Sequence, residues 1–142
     1  KAKIKRLQLE TVRNAVKQAQ SVDDVSDATA VIVNPTHFAI ALKYEVGTVG
    51  APKVLAKGRG NIAQKIINKA KENSITVFRH KLLARALYFT SDIGQEISEK
   101  LYTAVAIALA YIYKLDKGEN LEEPNIDIPE ELVFNEDGSQ KN

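Results

Sequence analysis

Residues 31–42 read VIVNPTHFAIAL. Val31, Ile32 and Val33 are strand formers, Phe38 to Leu42 make a second apolar run, and only Asn34-Pro35-Thr36-His37 separates them. Apolar, β-branched runs on both sides of a turn-forming pair predict two strands joined by a tight connection. Asn-Pro opens such a turn because proline fixes its own φ and pushes the residue before it toward extended backbone. Hairpins ordinarily turn on Asn-Gly or Asp-Gly. Asn-Pro followed by a histidine raises the question of chemistry.

Working outward, Ala30–Val33 and His37–Tyr44 are the two strands, Gly47–Pro52 a loop, and Lys53–Lys57 a third strand ending at Gly58-Arg59-Gly60. Ile62, Ile66, Ile67 and Ala70 recur at helical spacing and predict a helix over Asn61–Lys71, with Asn73 as its stop. A fourth strand over Ile75–Phe78 follows, then a short helix over Lys81–Thr90 and a long one over Ser98–Leu115, capped by Ser98. That last helix is apolar around most of its circumference and should be well buried or docked. Interleaved strands and helices define an α/β domain, a compact four-stranded sheet flanked by about four helices.

Toward the N-terminus, residues 1–20 form a helix with basic residues crowding its front, and residues 21–29, rich in Ser and Asp, form a hinge or loop. The helix fits a solvated linker or a basic segment near anionic lipid. Beyond Gly118 the periodicity ends, and prolines and acids predict a largely disordered tail over residues 118–142. Residues 118–142 carry eight acids and one base, a net of −7; residues 1–117 carry nineteen bases and ten acids, a net of +9. A basic body with an acidic tail suits a partner surface, a membrane face, or a tail folded over its own body.

The chain has 142 residues and 44% hydrophobic composition, enough for one compact domain. Its longest apolar run, Ala104–Tyr113, is far short of a membrane span. It has no methionine, so it is expected to be a piece of a longer protein with membrane segments upstream. With no cysteine, disulfides and thiolate metal sites are excluded. The two histidines have no paired carboxylates nearby in the sequence, so no metal is expected. Basic residues are scattered rather than interleaved with aromatic platforms, so no nucleic acid is expected either. Gly58-Arg59-Gly60-Asn61-Ile62-Ala63 fits G-x-G-x-x-A between a strand and a helix. A dinucleotide site also needs an acid about twenty residues on, and Arg79-His80 stands there. The pattern therefore reads as a glycine turn, and no cofactor is expected.

Asn34-Pro35 has a specific reactivity. Asparagine ordinarily rearranges when the next backbone nitrogen attacks its side-chain amide, and proline has no N–H to supply that nucleophile. The reverse attack remains: the Asn34 side-chain nitrogen adds to its own backbone carbonyl, closes a succinimide and expels the Pro35 nitrogen. A tight turn can hold these atoms in attack geometry, where intramolecular reactions reach effective molarities of about 10⁵–10⁸ M. His37 can relay a proton and Thr36 can position the turn through its hydroxyl.

Asn34-Pro35-Thr36-His37 followed by Phe38-Ala-Ile-Ala-Leu-Lys-Tyr44 resembles the cytoplasmic domains of the type III export switch proteins, the FlhB/YscU/SpaS/EscU family. The likeness continues through Ala51-Pro-Lys-Val-Leu-Ala-Lys-Gly58, Leu83-Ala-Arg-Ala-Leu-Tyr88, Ile93-Gly-Gln-Glu-Ile97 and Leu101-Tyr-Thr-Ala-Val-Ala106. It implies cleavage between Asn34 and Pro35, with Thr36 and His37 completing the motif and the two pieces staying together. It implies a linker over residues 1–29 to an upstream membrane domain, a globular domain over 30–117, and a place on the cytoplasmic face of the bacterial inner membrane. Cleavage would permit export to change from rod and hook to filament subunits. The implied partners are rod- and hook-type substrates and their chaperones, a hook-length control protein and other export-gate components. Gly94-Gln95-Glu96-Ile97 and the last block favour the flagellar over the virulence branch. Flagellar relatives often carry Pro-Pro where this chain has Lys81-Leu82.

The leading reading is thus a regulatory module activated by one self-cleavage, turning over no substrate. The others are a constitutive docking platform whose Asn-Pro turn is structural, and a phosphate- or nucleotide-binding enzyme using Gly58 to Ala63.

Overall fold

The computed structural model describes residues 2–35 and 37–141, with side-chain environments from residue 8 onward. Four strands, β1 (Ala30–Asn34), β2 (Phe38–Lys43), β3 (Lys53–Arg59) and β4 (Val77–Arg79), form one sheet in the order β3-β2-β1-β4. The first three are antiparallel neighbours, and β4 runs parallel to β1 on its other side. β1 is thus an interior strand, which is why its Ala30–Asn34 run is buried on both faces.

Strand alternation sorts β1 into two cores. Ala30 and Ile32, with Phe38, Ile40 and Leu42 of β2, face helices α3 (Lys81–Thr90) and α4 (Tyr102–Asp116). Val31, Val33, Ala39 and Ala41 face α2 (Asn61–Glu72), which supplies Ala63, Ile66, Ile67 and Ala70. The result is helices on both faces of a mixed sheet, the α/β class expected from the interleaved pattern. The first helix, α1 (Ala2–Ser21), follows the N-terminal periodicity and meets the body at its end, where Gln18 Nε2 donates to the Tyr88 hydroxyl at 2.9 Å. Leu9, Val12 and Val16 remain exposed along it.

Element boundaries shift where local packing outweighs pattern. β3 continues through Gly58 to Arg59, and a Cβ on Gly58 would collide with the Ile62 side chain of α2. β4 starts only at Val77, because the Ile75 N–H donates to the Ala70 carbonyl to close α2 and Ser74 takes φ +58°. The long C-terminal helix begins as a 3-10 turn, Glu99–Leu101, with Ser98 Oγ accepting from Lys100 N at 3.3 Å. The helix α3 starts at Lys81 and is capped by His80, whose Nδ1 accepts from Leu83 N at 3.1 Å.

Two expectations are corrected. The segment read as a hinge contains a 3-10 helix, Val22–Asp27, whose Val25 is fully buried in the α2-side core. The acidic tail read as disordered is docked from Ile126 onward: Ile126, Leu132 and Phe134 join the core cluster that includes α3 and α4. Leu132 and Phe134 lie in short pieces, a single 3-10 turn over Glu130–Leu132 and an isolated bridge between Phe134 and Gln140, too short to leave a sustained helical or strand period in the sequence. Backbone bonds from Asn135 N to the Ser139 carbonyl and from Lys141 N to the Val133 carbonyl, at 2.8 and 2.9 Å, close the segment on itself.

Candidate functional site

The Asn-Pro turn forms as the sequence requires. Asn34 pairs with Phe38 across the β1–β2 ladder, and the His37 N–H donates to the Asn34 carbonyl at 2.9 Å, closing a four-residue turn. Thr36 lies outside the described residues. The flanks are fixed on both sides: the His80 N–H donates to the Val33 carbonyl and the Gly60 N–H to the His37 carbonyl, each at 3.0 Å. Gly60 has φ +58°, a conformation that favours glycine, and its N–H is spent on the turn. The glycine pattern thus buttresses the Asn-Pro turn.

Asn34 is 5% exposed, and its Nδ2 has no hydrogen-bond partner among the described residues. A buried carboxamide nitrogen left unpaired costs roughly 1–3 kcal/mol and calls for an explanation. Its own backbone carbonyl, by contrast, already accepts a hydrogen bond from the residue that completes the turn. A donor at that oxygen stabilises the negative charge that would develop there if the carbonyl carbon were attacked. An unpaired nitrogen nucleophile and a polarised carbonyl therefore belong to one residue.

His37 projects from the same turn, and its Nε2 is 3.4 Å from Glu136 Oε1. The same carboxylate oxygen is 3.3 Å from Arg85 Nη2. Arg59 Nη2 donates to the Glu136 carbonyl at 3.2 Å, and Arg85 Nη1 to the Phe134 carbonyl at 3.4 Å. Below these polar contacts, Phe38, Phe89 and Phe134 pack in series, edge-to-face and then tilted, with ring centroids 5.5 and 5.4 Å apart, and the Arg59 guanidinium lies over Phe38. The C-terminal segment thus covers the turn.

The structure places Asn34, Pro35 and His37 in one turn, with Arg59, Arg85 and Glu136 beside it. Arg85 left a trace in the sequence: a charge inside the apolar block Leu83-Ala-Arg-Ala-Leu87 has to find a partner once buried. Glu136 left none.

At the other end of the β1–β2 hairpin is an apolar groove of about 770 Å³, bounded by Thr29, Tyr44, Val46, Pro52, Tyr102 and Tyr113 among others. One side of α4 lines it, so the helix expected to be well buried has an open face there, with Tyr102 and Tyr113 about half exposed. Among the described residues no group of three or more His, Cys, Asp or Glu could hold a metal ion, and no helix is long and apolar enough to cross a membrane.

The family model described as the FlhB HrpN YscU SpaS family matches residues 1–112. The flagellar biosynthetic protein FlhB of Salmonella typhimurium is 38% identical over 140 residues, covering 94% of this chain and 35% of the relative. The FlhB of Aquifex aeolicus is 52% identical over 95 residues, covering 67% of this chain and 27% of the relative. Among solved structures, the cytoplasmic domain of FlhB from Shewanella putrefaciens matches with a TM-score of 0.74 at 38% identity, covering 82% of this chain and 95% of that one. A substituted EscU C-terminal domain matches with a TM-score of 0.62 at 32% identity, covering 68% and 96%. The chain belongs to the FlhB HrpN YscU SpaS family. It spans about a third of the length of the curated flagellar relatives it matches, and nearly all of the solved cytoplasmic domain.

Proposed function

We propose that the chain is the cytoplasmic part of a flagellar export switch protein and that it cuts itself once, between Asn34 and Pro35. The observation that carries this reading is the Asn34 carboxamide, buried with Nδ2 unpaired among the described residues, beside a backbone carbonyl that accepts the His37 N–H. The Asn34 Nδ2–C bond forms, the Asn34 C–Pro35 N bond breaks, and a proton from Nδ2 passes to the departing proline nitrogen. His37 carries that proton, and Thr36 completes the motif. The products are a succinimide at the end of residues 1–34 and a secondary amine at Pro35. The reaction is single-turnover, needs no cofactor, and consumes no separate substrate.

The first fragment stays in place because β1 is paired on both edges and Val31, Ile32 and Val33 are buried. Each such side chain contributes about 1.5–3 kcal/mol of burial. Opening the turn then frees the surface around Pro35–His37 while the body holds, and the broken bond makes the change irreversible. In this reading residues 1–29 connect to a membrane domain, and the domain works at the cytoplasmic face of the inner membrane. Its partners are exported rod- and hook-type subunits with their chaperones, the hook-length control protein and other export-gate components. The open apolar groove supports docking of an apolar segment from such a partner.

The test is the Asn34→Ala variant, which lacks the nucleophile. Denaturing mass measurement is expected to give residues 1–34 and 35–142 for the wild type and one uncut chain for the variant. Cleavage of the variant at the same bond would exclude cyclisation.

A further inference from the structure

We infer that Glu136, in the C-terminal segment, is a positioning residue for self-cleavage that acts through His37; this rests on the self-cleavage reading above. The geometry singles it out. Its Oε1 lies 3.4 Å from His37 Nε2, the one acid paired with that ring among the described residues. A carboxylate beside Nε2 favours the proton on that nitrogen, which leaves Nδ1 as the basic nitrogen of the neutral imidazole and fixes the ring's orientation. A half-exposed histidine on a turn otherwise has two tautomers and free rotation about its side-chain bonds.

Glu136 is itself held from three directions. Arg85, whose side chain is 10% exposed, reaches the same oxygen, and Arg59 bonds the Glu136 backbone carbonyl. Its position in the chain is set by a turn in which Gly138 N donates to the Asn135 carbonyl and Ser139 donates to the Asp137 carboxylate through both its N–H and its hydroxyl. Gly138 has φ +89°, and a Cβ there would come within 2.9 Å of Phe89, so this turn seats directly on the aromatic series that ends at Phe38, the neighbour of His37.

Ion pairs with both side chains half exposed add little to stability. Buried Arg85 needs a charge partner, which accounts for its pair with the Glu136 carboxylate; the half-exposed contact to His37 is the part that orientation of the reacting turn explains. The acidic tail is then a working part of the cleavage site, assembled from the far end of the chain. Self-cleavage would therefore wait until residues 126–141 have folded onto the body.

The experiment is a pulse-chase of the 142-residue chain in cell-free synthesis, following conversion of full-length chain to fragments on denaturing gels. Wild type, Asn34→Ala, His37→Ala, Glu136→Ala, Glu136→Gln and the His37→Ala/Glu136→Ala double variant are compared. Glu136→Ala is expected to slow cleavage about tenfold, with Glu136→Gln intermediate because it keeps an acceptor. In the His37→Ala background Glu136→Ala is expected to have no further effect, since both changes remove one unit. Wild-type cleavage with Glu136→Ala at the wild-type rate overturns the inference, and so do additive effects of the two substitutions. A wild type that stays uncut beside an uncut Asn34→Ala is instead the failure of the self-cleavage reading. Circular dichroism melts identify a Glu136→Ala chain that has not folded, and Glu136→Gln then decides.

Discussion

The two ends of the β1–β2 hairpin are built from the same ladder, about 17 Å apart at ~3.3 Å per residue, and they differ in almost every physical respect. At the Asn34 end the backbone is bonded on all sides, a polar side chain is buried, and two arginines and a glutamate meet over the turn. At the Thr29 end the strands are closed by the Thr29 hydroxyl, which accepts from Tyr44 N at 2.9 Å, and the surface beyond is apolar and open. Chemistry on a backbone carbonyl needs pre-set polar groups whose positions do not relax. Contact with another chain needs accessible apolar area. The hairpin offers one at each end, and its ladder does not depend on the peptide bond at the turn.

The largest expected effect tests whether the turn end is part of the core or only a surface loop. Phe38 is 1% exposed and begins β2 beside His37. Phe38→Ala, made in the Asn34→Ala background so that one chain unfolds, is expected to lose about 3–5 kcal/mol in urea denaturation. A loss near that of an exposed residue would show that the aromatic series does not anchor the turn. His37→Ala should separate chemistry from stability at the same place. His37 is 49% exposed, so its melting midpoint should stay close to wild type, while cleavage slows by a double-digit factor, roughly 1.4–2.5 kcal/mol of barrier. An unchanged pulse-chase rate would reduce His37 to a turn residue.

At the other end, Tyr113 is 52% exposed, so Tyr113→Ala is expected to change stability by no more than about 0.5 kcal/mol and to leave the cleavage rate alone. A change in cleavage would mean that the two ends are coupled through the sheet. A smaller sharpening comes from pH. Hydrogen bonds from Ser139, first its hydroxyl and then its N–H, hold the Asp137 carboxyl below its ordinary 3.8. With the folded value lower than the unfolded one, the unfolded chain binds more protons in that window. The turn's contribution is therefore fully present above about 3.8 and fades as pH falls through the folded value. NMR titration of the Asp137 carboxyl together with the Ser139 amide measures this, and a carboxyl titrating at the ordinary position would leave the turn without that anchor.

The difference between the ends also explains what the sequence made legible. Asn34-Pro35-Thr36-His37 is contiguous, so both the turn and the reactivity proposed for it could be read locally, and the β-branched run Val31-Ile32-Val33 placed the strand. The sheet needed only runs of apolar residues at the right spacing. Glu136 could not be found that way, because its role depends on tertiary docking of a segment with no period. The charge split between a basic body and an acidic tail left open a tail folded over its own body, and the Arg85–Glu136 and Lys100–Glu131 pairs are where that attraction is realised. The missing clue was Ile126 and the short run Leu132-Val133-Phe134, a few apolar residues among prolines and acids, whose burial outweighs the backbone irregularity around them.

The most direct test of a hairpin that breaks its turn and keeps its ladder is to weigh one wild-type sample twice, under native and denaturing conditions. Native mass is expected to show a single species containing both pieces, with the mass of the intact chain, or one water more once the succinimide has hydrolysed. Denaturant should resolve the same sample into residues 1–34 and 35–142. A single uncut chain in denaturant, or residues 35–142 flying alone in native buffer, would contradict the account.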